Sequence, residues 1–296
     1  MRRLFTIAGL VVAAATLSLD AQQQLQVFAR IVDGTGAPPA SLEPADVRVT
    51  EDDKEAKVLK IEPINWPIKV QILLDNGAGL GSENLTHLRN GARGLIEALP
   101  EGTEVTLVTT APQPRQVVRP TTDRAAQLKG VDLLTPDGGT GRFVESLNEA
   151  MQRVEKDKTE YFPVIISLGT LSGDTGANLE NIYKQLMKRL EQRPATIHVV
   201  MFSKGTGTSS GGAVQTEVGL QVTQYVRGRY EAIAAATRLA TLLPELGAQV
   251  AKSHANQSKQ FRIVVARNGS GNLGKLSMGA RSGLSVTALS LDGRMP

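Results

Sequence analysis

The stretch IKVQILLD at residues 68–75 decides the reading of this chain: a nearly continuous apolar run closed by an acid, Asp75. Such a run suits a central strand covered on both faces, and strands of that kind pair in parallel with helices above and below. The next segment has the marks of a helix. Ser82 is placed to cap it, and Leu85, Leu88, Ala92, Leu95, Ile96 and Leu99 fall on one stripe at helical spacing.

The alternation repeats downstream. TEVTLVTT (103–110) reads as a strand, RQVVRP (115–120) as a short edge strand, and a helix is expected near 122–130. Phe143, Val144, Leu147, Ala150, Met151 and Val154 stripe a further helix, and YFPVIISL (161–168) is a second central strand. Leu179, Ile182, Leu186 and Leu190 mark another helix, ATIHVVMF (195–202) a third central strand, and residues 216–226 and 235–253 further helices. Strands alternating with amphipathic helices imply an α/β fold: a Rossmann-like, doubly wound, mostly parallel sheet with helices on both faces. The intervening SKGTGTSSGGA (203–213) is too poor in apolar residues to pack and reads as a loop.

The two ends of the chain have another texture. Arg2 and Arg3 precede an uncharged apolar run from Leu4 to Leu19, which ends at Asp20 and Ala21, so residues 1–21 read as an export signal. Its sixteen residues fall short of the roughly 20 that a membrane helix needs, an uncleaved anchor being the alternative. Residues 22–66 hold the β-like runs LQVFARIVD, DVRVTED and AKVLKIE around a turn-rich segment, a small β-rich appendage that ends at Pro63, Trp66 and Pro67. The α/β domain then covers 67–258, and 259–296, with FRIVVAR and LSVTALSL, forms a C-terminal β extension.

Composition narrows the function. With no cysteine there is no disulfide and no thiolate metal site. The 33 basic and 29 acidic residues give +4, and losing two arginines and one aspartate with the leader leaves +3, too weak for a nucleic-acid footprint where aromatics are scarce. His87, His198 and His254 lack ligand spacing. Gly269, Gly271 and Gly274 form a Gly-x-Gly-x-x-Gly, but no helical stripe comes after it, so a hairpin loop is expected there. The acids from Glu51 to Glu55 read as solvated turns, and Lys184, Lys188, Arg189 and Arg193 as a basic helix end suited to the helix dipole.

An apolar strand ending in Asp75, a later GGT turn opening a helix, and another apolar strand with its loop together resemble the von Willebrand factor A family. More narrowly, 32–63 and FRIVVAR resemble the secreted von Willebrand A-related proteins of acidobacteria. The resemblance implies a metal-ion-dependent adhesion site at the carboxyl ends of the strands, with a first loop of the form Asp-x-Ser-x-Ser. Here that loop is Asp75, Asn76, Gly77, Ala78, Gly79; Thr140 matches the second-loop threonine, and Leu168 and Gly169 stand where the third loop has aspartate and glycine. Three of the five ligand positions therefore lack a side-chain oxygen, leaving Asp75 and Thr140 as residual positions in a degenerate site.

The expectation is an exported protein-protein interaction module, adhesive or adaptor-like, without enzymatic activity, cofactor-free and periplasmic or secreted. Its partner-binding positions would be Asp75, Asn76, Ser82, Gly139, Thr140, Thr170, Ser172 and Asp174, all on loops at the same sheet edge. Two alternatives stand beside it. One is a metal-dependent adhesion domain whose magnesium site is rebuilt with Asp174; the other is an envelope-acting hydrolase using Asp75 and Asp174 as acid and base. On the bland reading, Asp75 bonds backbone amides at a strand end and Thr140 caps the helix beyond it.

Overall fold

The computed structural model describes residues 24–172, 174, 178–203, 210–267 and 274–289. The expected export signal at 1–21, residues 204–209 of the expected loop at 203–213, and Gly269 and Gly271 lie outside the described residues, while 210–213 open a helix instead of continuing that loop. The chain runs β1 (Gln24–Asp33), β2 (Val47–Glu51), β3 (Lys54–Pro63), β4 (Ile68–Leu74), α1 (Leu85–Ala98), β5 (Glu104–Thr109), β6 (Arg115–Thr121), α2 (Arg124–Asp132) and α3 (Phe143–Lys156). It continues with β7 (Phe162–Thr170), α4 (Leu179–Gln192), β8 (Thr196–Phe202), α5 (Ser210–Tyr225), β9 (Tyr230–Ile233), α6 (Leu239–Gln257), β10 (Phe261–Ala266), β11 (Leu276–Ala280) and β12 (Leu284–Leu289). Two compact units result, one from the chain ends and one from Pro63–Phe261.

The first unit is a six-stranded sheet in the order β11-β2-β3-β10-β1-β12, with β11 and β3 both antiparallel to β2. Residues 22–66 and 259–296 thus share one sheet, pairing with the appendage being one of the two arrangements open to the C-terminal strands on sequence alone. Its outermost strands β11 and β12 are joined by only Arg281–Gly283. Three residues reach about 10 Å, so the sheet must curl until its edges approach, which removes most of the exposed edge. Ala29, Ile31, Val49 and Ile263 fill its interior. Glu51 is no solvated turn residue: it ends β2, is 8% exposed, and accepts from Arg267 Nη2 at 2.6 Å and from the Gly274 amide at 3.2 Å. The Arg267 hydrogen bond holds its carboxyl below the usual range.

The second unit is a six-stranded sheet in the order β6-β5-β4-β7-β8-β9. The pairs β5-β4, β4-β7, β7-β8 and β8-β9 are parallel, but β6 runs antiparallel to β5, so the sheet is mixed rather than simply parallel. The apolar run that predicts a central strand is β4, flanked on both sides, and β7 beside it is buried at every residue. Leu73, Ile165, Ile197 and Met201 project to the face packed by α3, α4 and α5. Alternate residues such as Ile68 and Val164 meet α6 on the other face. The strand β9, YEAI, carries no apolar run and is not legible in the sequence.

On that second face α1 and α6 approach through glycines. A Cβ at Gly91 would lie 2.5 Å from the Leu239 carbonyl oxygen, and one at Gly247 2.7 Å from that of Leu95. Backbone stands where a side chain would go, so neither position tolerates a methyl without moving a helix. Alanine is the better helix former by roughly 1 kcal/mol, yet Gly91→Ala should destabilise the protein by about 1–3 kcal/mol, the usual cost of overpacking. A urea midpoint equal to or above that of the parent would show that the two helices separate freely.

Candidate functional site

Because β4, β5, β7 and β8 run parallel, their carboxyl ends lie along one edge, where the loops after β4, β5 and β7 meet the α2–α3 connection. Asp75 is the first residue beyond β4 and is 1% exposed; its amide donates to the Leu168 carbonyl at 3.0 Å. One carboxylate oxygen accepts from the Gly77 amide at 2.9 Å, the other from the Thr170 hydroxyl at 2.5 Å, and Thr170 Oγ1 lies 2.9 Å from Ser172 Oγ. Burial, with the charge of Asp174 adding to it, pushes the Asp75 carboxyl above the usual carboxylate range against the pull of these hydrogen bonds.

Asn76 ties the loops together. Its side chain donates to the Thr135 carbonyl at 2.8 Å and accepts from the Ala111 amide at 3.4 Å, while its carbonyl accepts from the Asp137 amide at 2.8 Å. Asp174 reaches from the loop after β7 to accept from the Val144 amide, 2.9 Å away, at the start of α3. It thereby caps a helix 30 residues upstream, where the dipole favours a carboxylate. Gln215 of α5 lies between the Thr170 carbonyl, to which its amide nitrogen donates, and the Asp174 amide, from which its oxygen accepts at 3.2 Å.

Two helix caps expected from sequence are replaced. Ser82 lies in a short 3-10 turn ahead of α1, whose N-cap is Asn84 and carries no side-chain cap. Thr140 does not cap α3 either; the N-cap position is Arg142, and Asp174 satisfies the amide of Val144. Likewise the basic end of α4 does more than face a dipole: Arg189 pairs with Glu155, and Arg193 donates to the carbonyls of Asp157 and Thr159.

The residues present do not fit a tightly held magnesium ion. A Cβ at Gly77 would collide with the Gly139 carbonyl oxygen and one at Gly79 with Thr170 Oγ1, so space for serine side chains is already filled. Gly141 is equally constrained, its Cβ falling 2.5 Å from Asp75 Cγ. Both Asp75 oxygens are engaged, one Asp174 oxygen holds an amide, and no group of three His, Cys, Asp or Glu is assembled among the described residues. A hard cation that demands near-octahedral oxygen coordination finds too few donors. An acid–base pair is equally hard to make from Asp75 and Asp174, 1% and 7% exposed, since catalysis needs both within reach of substrate.

Of the eight residues expected to meet a partner, Asp75, Asn76, Thr170 and Asp174 are buried and can only support the loops, whereas Gly139, Thr140 and Ser172 are half-buried and Ser82 is exposed. The other residues that face outward here, Ala78, Pro112, Gln113 and Gly138, carry no chemistry that would single them out in sequence. Gln215 escapes the sequence reading as well, because it sits on a helix remote along the chain. The glycines at 77, 79 and 141 do carry a signal, since close backbone approach requires glycine, but against the family pattern it shows only as a loss of ligands.

No family model and no curated protein matches the chain. Among solved structures, a von Willebrand factor type A protein from Catenulispora acidiphila matches with a TM-score of 0.51 at 12% identity, over 90% of this chain and 72% of that one. The pilus adhesin SpaC from Lactobacillus rhamnosus GG also scores 0.51, at 11% identity, over 70% of this chain and 35% of its own. Identities this low speak to fold alone, and the fold of the α/β unit is that of a von Willebrand factor A domain.

Proposed function

We propose that the chain is a metal-independent protein-interaction module, not an enzyme, that meets its partner with the loops at the carboxyl ends of β4, β5 and β7. One observation carries this reading: the Asp75 carboxylate is buried and already bonded to Thr170 and Gly77, where a metal-dependent domain would leave it to a cation. The retained scaffold, shared with a pilus adhesin, supports binding as the role. Ala78, Ser82, Pro112, Gln113 and Gly138 face outward with Glu83 beside them, and they suit small polar and backbone contacts. The leader at 1–21 supports a periplasmic or secreted location. No helix among the described residues is long and apolar enough to cross a membrane.

The direct test is capture from envelope extract with the protein beginning at Gln22, in the presence and absence of EDTA, read by mass spectrometry. A partner retained in EDTA and lost from the double variant Ala78→Arg/Gly138→Arg is the expected outcome. A Cβ at Gly138 meets nothing within 4 Å and Ala78 is exposed, so that variant should fold. A partner released by EDTA would restore the metal-dependent reading, and one held equally by the double variant would move the binding face elsewhere.

The raised Asp75 carboxyl gives a second test. Burial favours its neutral form, so the folded state binds that proton more tightly than the unfolded chain, whose aspartate titrates near about 3.9. The cost of the buried charge is absent below that pH and develops as pH rises through the folded value. Asp75→Asn should therefore gain in melting temperature relative to the parent from about pH 4 upward, levelling off once Asp75 is ionised. Millimolar magnesium, calcium or manganese should leave the parent's melting temperature unchanged. A variant that loses ground to the parent as pH rises would mean that the hydrogen bonds outweigh desolvation, and a margin independent of pH would mean that the carboxyl is not shifted.

A further inference from the structure

At the opposite end of the α/β unit, where the parallel strands begin, lies a cavity of about 440 Å³ that the interaction face does not use. Its walls come from the starts of β7 and β8 and from the last turns of three helices: Leu190 and Glu191 of α4, Tyr225 of α5, and Gln257 of α6. Phe162 and Leu190, 3% and 1% exposed, supply apolar surface. The volume falls in the range of small-molecule sites, which are apolar with a few convergent polar groups.

Gln257 is the informative residue. It is 6% exposed, lines the cavity, and its side-chain amide has no hydrogen-bond partner among the described residues. Its amide is not sealed from solvent, and a ligand polar group in the cavity would give it a partner. The charge of that ligand follows from the helices. Three carboxyl-terminal turns converge on the cavity, and helix carboxyl ends carry partial negative charge, although backbone amides already bond most of the last carbonyls of α5 and α6. Glu191 adds a full negative charge at the rim, and the half-exposed Tyr225 places an aromatic ring beside it. Arg227 also lines the rim, and its positive charge offsets that of Glu191, so the helix ends carry the preference for a cation.

We propose that this cavity binds a small organic cation, its apolar body against Phe162 and Leu190 and its ammonium directed to the helix ends, Glu191 and the Gln257 amide oxygen. The proposal is independent of the interaction face at the other end of the sheet and stands or falls without it.

The protein carries its own reporter, since Trp66 is the one tryptophan of the chain and its ring centroid lies 5.5 Å from that of Phe162. Tryptophan fluorescence should change saturably on titration with phenethylammonium, with half-saturation on the order of 1 mM for a ligand of that size. Neutral 2-phenylethanol and anionic phenylacetate should bind at least about fivefold more weakly. Glu191→Gln and Tyr225→Ala alter exposed side chains and should fold as the parent does, yet weaken the cation about three- to tenfold. Gln257→Leu, checked by an unchanged melting temperature, should weaken it too. Absence of saturation with the cation, equal or tighter binding of phenylacetate, or full affinity in both Glu191→Gln and Tyr225→Ala would each overturn the proposal.

Discussion

One constraint organises the carboxyl edge of the α/β sheet: Asp75 comes directly after the central strand and its carboxylate is 1% exposed, so every oxygen it carries must find a donor inside the protein. Thr170 at the end of the neighbouring strand provides one, and the tight turn to Gly77 the other. The turn can close only because residue 77 lacks a side chain where the Gly139 carbonyl stands, and Thr170 can approach only because residue 79 leaves its hydroxyl room. Gly141 completes the enclosure by passing close to the carboxylate itself. What looks in sequence like the erosion of a ligand set is, in three dimensions, a mutually dependent set of close approaches.

That dependence explains how much of the molecule is legible in its sequence. The strands β4, β7 and β8 are continuous apolar runs, and the helices between them carry clear stripes, so local pattern is enough to reveal the α/β unit. The edge strand β9 and the hairpin strand β11 have no such pattern, and their pairing depends on neighbours distant in sequence. The joining of residues 22–66 and 259–296 in one sheet is of the same kind, since strand pairing across some 200 residues leaves no local mark. At the site, Asp75 is legible as a strand-end acid. Asp174 as a cap for α3, and Gln215 between Thr170 and Asp174, are tertiary contacts that no spacing announces.

The metal-binding and hydrolytic alternatives divide on the same geometry. A rebuilt cation site would draw on Asp174, but that carboxylate serves the amino end of α3, where releasing it would leave an amide unsatisfied. A cation could therefore be held only by giving up the helix cap. An acid–base role fails on access rather than on chemistry, because both carboxylates are turned inward. Binding through the outward rim asks for neither sacrifice.

The two ends of the sheet carry opposite electrostatics for a single reason. Parallel strands joined by right-handed crossovers send each helix from the carboxyl edge back toward the start of the next strand, so amino termini gather at one edge and carboxyl termini at the other. At the first edge the protein answers its own positive field with Asp174 at the start of α3 and packs the remaining space with glycines and hydroxyls. At the second, α4, α5 and α6 end around an open cavity, with Glu191 at the rim and the Gln257 amide unpaired. The edge where the fold would hold a metal is thus closed by the protein's own side chains, while the opposite edge combines open space with the carboxyl ends of three helices.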